Sequence, residues 1–299
     1  MHILNIGSMN VDHVYAVAHF VRPGETLASS RYDIFSGGKG FNQSVALARA
    51  GAATRHAGKI GRDAPWLLQQ LQQEGVDTTR VHVTETATGH AIIQVISSGE
   101  NAIVLHGGAN QTVSESDISR ALLSCAPGDY LLLQNEISSV ATAIRKGKEQ
   151  ELTVVFNPAP MNPALRDYPL ELVDIFILNE TEAEGLTGKT SVEDIRIALC
   201  KKFPRSATVL TLGSRGAVYF NADTLHHQPA VAVHAVDTTA AGDTFIGYFL
   251  AEIMRSADPT GALSLGCRAA ALCVTRPGAS ASIPFRKEVD EFQRDKSSP

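Results

Sequence analysis

The chain predicts an α/β fold: a doubly wound, mainly parallel sheet with helices on both faces and a small β-sheet lid. Three observations carry that expectation. Short apolar runs bounded by Gly, Pro or Asn recur along the 299 residues. Amphipathic stretches with helix caps separate them. Two stretches rich in Thr, Val, Ile and Tyr interrupt the alternation with no helix between their strand-like patches. Strands that alternate with helices form parallel sheets covered on both faces. No internal repeat, low-complexity segment or long linker divides the chain, so residues 1–299 read as one domain.

In chain order, the strand-length runs are Ile3–Ile6, Tyr130–Leu133, Val154–Phe156, Ile175–Leu178 and Val209–Leu212. Ser114 with Asp117 and Ser191 with Asp194 have capping-box spacing, with Asp in place of the preferred Glu. Gly51 and Gly75 close the helices before them, and Gly188 terminates another. Residues about 13–36 and 88–106 contain YAVAHF, GHAIIQVI and NAIVLH, which read as short antiparallel strands forming a flap over the end of the sheet. From Thr244, the sets Phe245, Phe249, Ile253 and Ile246, Leu250, Met254 repeat every four residues. A buried helix therefore begins at about Gly242.

Composition narrows the function classes. A hydrophobic content of 44% supports a large core. Lys+Arg 26 against Asp+Glu 31 gives 26 − 31 = −5, without runs of like charge, so neither a nucleic-acid face nor a polybasic membrane anchor is expected. The four cysteines, Cys125, Cys200, Cys267 and Cys273, are scattered, as for reduced, buried thiols of a cytosolic protein. MHILNIGSMN lacks the pattern of a signal peptide, and Arg268 interrupts the alanine-rich segment around Ala269, so a cytoplasmic protein without a membrane span is expected. The first strand runs into IGSMNVD, which is no dinucleotide fingerprint. EGLTGKT ends like a Walker loop, but Ala183 occupies its first glycine position and the segment trails a helix. H-E-x-x-H and G-x-S-x-G are absent, so metal-dependent and serine hydrolysis have no support.

In an open α/β sheet, ligands bind beyond the carboxyl ends of the strands. Those ends carry Asn10 and Asp12; Gln134, Asn135 and Glu136; Asn157; Asn179, Glu180 and Glu182; Thr211, Gly213 and Ser214. Carboxylates and amides suit the gripping of several hydroxyls, as on a sugar. Taken singly, each is equally a turn or cap residue. FSGGKGFNQSVALARAG sets glycines around Lys39 before a helix, letting a ligand approach the backbone. In VDTTAAGDTF, residues Ala240, Ala241, Gly242 and Asp243 form the first turn of the buried helix, where free N–H groups and the helix dipole favour a phosphate and small side chains leave it room. Two roles fit Asp243: a base that takes a proton from an attacking hydroxyl, or a carboxylate that stabilises the helix dipole. Asp237 either caps a turn or joins carbonyls around a cation.

At these residues the chain resembles the ribokinase family, also called the phosphofructokinase B family of carbohydrate kinases. GGKGFNQSVALARAG with AATRHAGKIG, and DTTAAGDTFIG, match its two signature patterns. The similarity runs on through NIGSMNVDH, NPAP, NETEAEGLTG, TLGSRGAV and VTRPGASASIP, nearly the whole chain, and is greatest to members that act on ribose. The resemblance implies transfer of the γ-phosphoryl of ATP to a primary sugar hydroxyl, for ribose giving ribose 5-phosphate. Asp243 would be the base and Ala240, Ala241 and Gly242 the anion hole. Asn10, Asp12, Gly38, Lys39, Asn42 and Glu136 would contact sugar. Asn179 and Glu182 would organise Mg²⁺ and phosphates, with Thr211, Gly213, Ser214 and Gly216 in the nucleotide loop and Cys267 near the adenine. Asp237, Thr239, Cys273, Arg276, Gly278 and Ser282 would surround a monovalent cation such as K⁺, several through carbonyls. The lid would cover the sugar and pair protomers into homodimers. Two departures bear on substrate: Phe41 replaces the usual alanine and is expected to reshape the pocket, and Cys267 replaces a more polar residue. The competing expectations are a kinase for deoxyribose, fructose or a nucleoside, and a non-catalytic sugar or nucleotide sensor.

Overall fold

A computed structural model describes residues 1–297 as two sheets and the helices around them. The strands are β1 (Ile3–Ile6), β2 (Asn10–Ala16), β3 (Arg31–Gly37), β4 (Thr54–Gly61), β5 (Asp77–Thr84), β6 (Gly89–Val95), β7 (Asn101–His106), β8 (Tyr130–Gln134), β9 (Thr153–Asn157), β10 (Ile175–Asn179), β11 (Ala207–Thr211), β12 (Ala217–Phe220) and β13 (Leu225–Gln228). The α-helices are α1 (Lys39–Arg49), α2 (Trp66–Gln73), α3 (Glu115–Leu122), α4 (Val140–Glu149), α5 (Glu180–Thr187), α6 (Val192–Lys202), α7 (Ala241–Ser256), α8 (Pro259–Cys273) and α9 (Arg286–Ser297).

The large sheet has nine strands in the order β13-β12-β11-β10-β9-β8-β1-β4-β5. It is parallel from β11 to β5, and β12 and β13 add an antiparallel edge. This is the doubly wound, mainly parallel architecture expected. Period-two alternation divides each central strand between two cores. Leu4, Ile6, Leu131 and Leu133 pack with Ile118, Ala143, Ala183 and Leu199 of α3, α4, α5 and α6. Ile3 and Leu132 face the other way, with Leu47, Phe249 and Leu263 of α1, α7 and α8. Tyr248, Phe249 and Leu250 of α7 are fully buried. Each such side chain contributes about 1.5–3 kcal/mol relative to exposure, which holds the amino end of α7 rigidly at the sheet.

All five expected strands are present, β1 with the expected ends and the other four with ends displaced by at most two residues. Four further strands of the large sheet, β4, β5, β12 and β13, were not expected. TRHAGKIG and DTTRVHVT alternate with charged and polar groups and so lack an apolar run. Ser114 makes the full capping box with Asp117. Ser191 caps only one way, its Oγ accepting from Asp194 N at 3.1 Å. Gly51 and Gly75 follow α1 and α2 with φ of +94° and +82°, and Gly188 closes α5 at +67°.

The second sheet, ordered β3-β2-β6-β7, is the lid. Its two hairpin pairs are antiparallel as expected, but β2 and β6 pair in parallel, which corrects an all-antiparallel flap. β2 leaves the large sheet just after β1 and β6 just after β5. Both source strands run in the same direction, so their continuations do too. Among the described residues, no helix is long and apolar enough to cross a membrane.

Candidate active site

The strand order reverses between β1 and β8, which makes their carboxyl ends the crevice where an open sheet offers a ligand site. A hydrogen bond from Ser8 Oγ to Glu136 Oε2 links the loops after β1 and β8, and Lys39 N donates to the same oxygen at 2.9 Å. Gly38 takes φ +89° there, and a Cβ on Gly40 would lie 2.4 Å from Ser8 N. Only glycine allows α1 to start this close to β1.

The charges around this point are strongly coupled. Burial pushes Asp12 up from 3.8 to about 7, with Glu136 adding to the effect. Burial also raises Glu136 above the usual carboxylate value, against the pull of Lys39. For Lys39, burial alone would lower the ammonium, but Asp243, Glu136 and Glu182 together hold it above its ordinary value. Gly37 crosses Asp12 so closely that a Cβ would lie 2.0 Å from Oδ2. Asn10 is buried beside them and accepts from Asn110 Nδ2 at 2.7 Å.

At the amino end of α7, Ala240 is left-handed with φ +59°, one residue outside the helix that was expected to include it. A left-handed residue followed by helical ones turns successive N–H groups toward one concavity, an anion-binding arrangement. A Cβ at Gly242 would enter open space. Asp243, one residue on, is 8% exposed. Its carboxylate accepts from Asn42 Nδ2 at 3.1 Å and from Gln43 Nε2 at 2.9 Å.

A cleft of about 260 Å³ gathers Lys39, Asn157, Asn179, Glu182, Thr211, Thr238, Ala240, Gly242 and Asp243, from the ends of three strands and three helices. Asn179 caps α5 and shares a reciprocal capping box with Glu182, whose N donates to Asn179 Oδ1 at 2.9 Å while Asn179 N donates back to Oε2 at 3.0 Å. Burial raises Glu182 above the usual range. Gly213, Ser214 and Gly216 lie at the turn after β11, with Gly213 and Gly216 at φ +55° and +100°. They do not line the cleft.

Beside α7, two loops meet at Asp237. Its carboxylate accepts from Thr239 N and from Gly278 N, both at 2.9 Å, and these bonds hold it below its usual value despite partial burial. Cys273 Sγ lies 3.1 Å from Ser282 Oγ and 3.8 Å from Thr239 O. Burial raises the Cys273 thiol, so it stays protonated. The Arg276 guanidinium turns away to Glu288 at 2.7 Å. Among the described residues, no group of three or more His, Cys, Asp or Glu side chains is arranged to hold a metal ion.

One substrate-related expectation needs correction. The Phe41 ring is fully buried in the core with Met9, Val45 and Tyr248, so it packs α1 and does not line the cleft. Cys267 lies in the core with Phe245, Phe249 and Leu263, and burial pushes its thiol up to about 12. Its neighbours there are apolar, and it is not among the residues that line the cleft. Ser8 and Gln43 went unnoticed in the sequence. Gln43 had a usable signal: with Lys39 and Asn42 it stands at i, i+3 and i+4, one helical face.

A helix end with the geometry of an anion site, a buried carboxylate beside it and buried polar groups at the switch point of a parallel sheet fit a phosphotransferase acting on a small hydroxylated substrate. The sequence matches the pfkB family of carbohydrate kinases over residues 2–286, and the chain belongs to that family. It is 40% identical to a ribokinase of Haemophilus influenzae over 96% of both chains. It is 35% identical to a deoxyribokinase of Salmonella typhi over 98% of both. The Arabidopsis thaliana ribokinase, solved with ribose and ATP, superposes with a TM-score of 0.86 at 29% identity, covering 97% of this chain and 98% of that one.

Proposed function

We propose that the protein is an ATP-dependent kinase of ribose, producing ribose 5-phosphate and ADP. The observation that carries this reading is the position of the Asp243 carboxylate, in the same cleft as the amino end of α7 and Lys39. Asp243 takes the proton of the primary hydroxyl as the sugar oxygen bonds to the γ-phosphorus and the bond to the β-phosphate oxygen breaks. The N–H groups of the Ala240–Gly242 turn and the Lys39 ammonium stabilise the charge on the transferred group. Asn10, Asp12, Gly38, Asn42 and Glu136 grip the sugar hydroxyls. Thr211, Gly213, Ser214 and Gly216 border the nucleotide.

The donor sets fit the two expected cations. Both carboxylate oxygens of Glu182 already accept from Asn179 at 3.0 Å, so this pair would hold Mg²⁺ through its water shell. When bound, the ion neutralises the phosphates. Asp237, Ser282 and the carbonyls of Thr239, Cys273, Arg276 and Gly278 would supply a hard, oxygen-rich set with one formal charge, suited to K⁺. A K⁺ ion there would stiffen the turn before α7. The lid supports pairing into a homodimer. Its register places Ile34, His13, Ile92 and Val104 in one row, and Ile34 and Val104 are 51% and 67% exposed. A cytoplasmic location fits the protonated, unpaired cysteines.

ADP release measured with ribose, deoxyribose, fructose, other pentoses and nucleosides tests the reading. Ribose should give the highest kcat/KM. Preference for deoxyribose would keep the mechanism and change the substrate. A sensor would turn over none of them, and its ligand binding would be indifferent to Asp243→Asn.

A further inference from the structure

Beneath the cleft lies a chain of uncharged polar side chains that the reaction does not touch. Gln43, Asn5, Ser44 and His56 are fully buried, and Gln134 is 1% exposed. Asn5 and Gln134 lie on the strand faces of Ile3 and Leu132, which pack against apolar neighbours. The fold itself therefore has no need of polarity at these positions, because replacing all partners with apolar groups of similar shape is nearly neutral for stability.

The chain has a fixed direction. A carboxylate only accepts, so Asp243 Oδ1 requires a donor, and Gln43 Nε2 supplies it at 2.9 Å while also reaching Asn157 Oδ1 at 3.3 Å. Gln43 Oε1 accepts from Gln134 Nε2 at 2.7 Å, and the other Gln134 hydrogen goes to Asn5 Oδ1 at 2.9 Å. Asn5 Nδ2 in turn donates to Gly40 O and to Ser44 Oγ, both at 2.8 Å. The Ser44 hydroxyl faces His56 Nδ1 at 2.8 Å. Burial lowers His56 to about 4, so the imidazole is neutral, and in its Nε2-protonated tautomer Nδ1 accepts this hydrogen. A flipped Gln43 amide would set its oxygen against two oxygens and its NH₂ against that of Gln134. Each link thus forbids the flip of the next.

We infer that Gln43 is a positioning residue for the Asp243 carboxylate, and that Gln134 and Asn5 act only through it by fixing the Gln43 amide. With Asn42 on Oδ2 at 3.1 Å, Gln43 fixes the plane of the carboxylate relative to the hydroxyl whose proton it takes. The inference rests on Asp243 as the base. Its energetic sense is preorganisation: misplacing a reacting group by about 1 Å costs about a hundredfold in rate.

The test compares Gln43→Met, Gln134→Met, the double variant and Asp243→Asn for kcat, sugar KM, ADP affinity and Tm. Gln43→Met should lower kcat about tenfold to a hundredfold, with sugar KM and ADP affinity within about threefold of wild type. Gln134→Met should lower kcat less, and the double variant no further than Gln43→Met alone. Wild-type kcat in a Gln43→Met protein with lowered Tm would overturn the inference, as would losses that multiply in the double variant. If Gln43→Met does not fold, Gln134→Met alone decides: reduced kcat at unchanged KM supports the chain, and unchanged kcat refutes it. Full activity in Asp243→Asn would instead remove the base itself, a failure separate from that of Gln43.

Discussion

Replacing Asp12 by Asn should stabilise the sugar-free protein at alkaline pH and leave it unchanged in acid. The folded protein pushes the carboxyl up from 3.8 to about 7, through burial and the neighbouring Glu136. A raised value means that the folded protein holds this proton more tightly than the unfolded chain. The group's contribution to stability is therefore fully present below about pH 4, is lost as pH rises toward 7, and is constant beyond. The step from 3.8 to about 7 corresponds to about 4 kcal/mol at 1.36 kcal/mol per pH unit. Asp12 is only partly buried, and solvent screening reduces the expected effect to about 2 kcal/mol. That is a Tm gain of a few degrees for Asp12→Asn at pH 8 and none at pH 4. Thermal melts of both proteins from pH 4 to 9 read it directly. If Asp12 grips the sugar as proposed, the same variant should also raise the sugar KM. A Tm difference that is independent of pH, or that grows toward acid, would refute the reasoning.

Other expectations are sharp enough to check. Gly37→Ala would drive a Cβ to 2.0 Å from Asp12 Oδ2, so sugar KM should rise at least about tenfold while ATP KM changes little in steady-state assays. Asn179→Ala removes the α5 cap and the bonds that orient Glu182, which should cost about 1 kcal/mol in denaturant melts and raise ATP KM. Replacing K⁺ by a bulky organic cation should lower kcat without unfolding the protein, and Asp237→Asn should raise the K⁺ concentration for half-maximal activity.

The parallel strands were legible because YLLLQ, TVVFN and IFILN are buried on both faces and so carry uninterrupted apolar runs. β4 and β5 were not, because Arg55, Lys59 and Arg80 break their pattern at positions where the sheet meets solvent or ion pairs. The lid was legible as strands, but its parallel β2–β6 pairing is set by where those strands leave the large sheet, a tertiary fact with no local signature. In the site, Asp243 and the small-residue turn announced themselves by composition. Gln43 did not, since a glutamine within a helix ordinarily faces water and only the approach of α7 to α1 buries it against Asp243. Phe41 and Cys267 show the converse: side chains that the sequence suggested for the substrate and adenine sites pack in the core.

Phosphoryl transfer to ribose with Asp243 as base is read directly by a coupled ADP-release assay on wild type and Asp243→Asn. Ribose-dependent turnover is expected in the wild type, with a loss of about 10²–10⁴-fold in kcat for the variant and ADP binding retained. Equal turnover by both proteins, or no ribose-dependent ADP release from a folded, ATP-binding wild type, would contradict it.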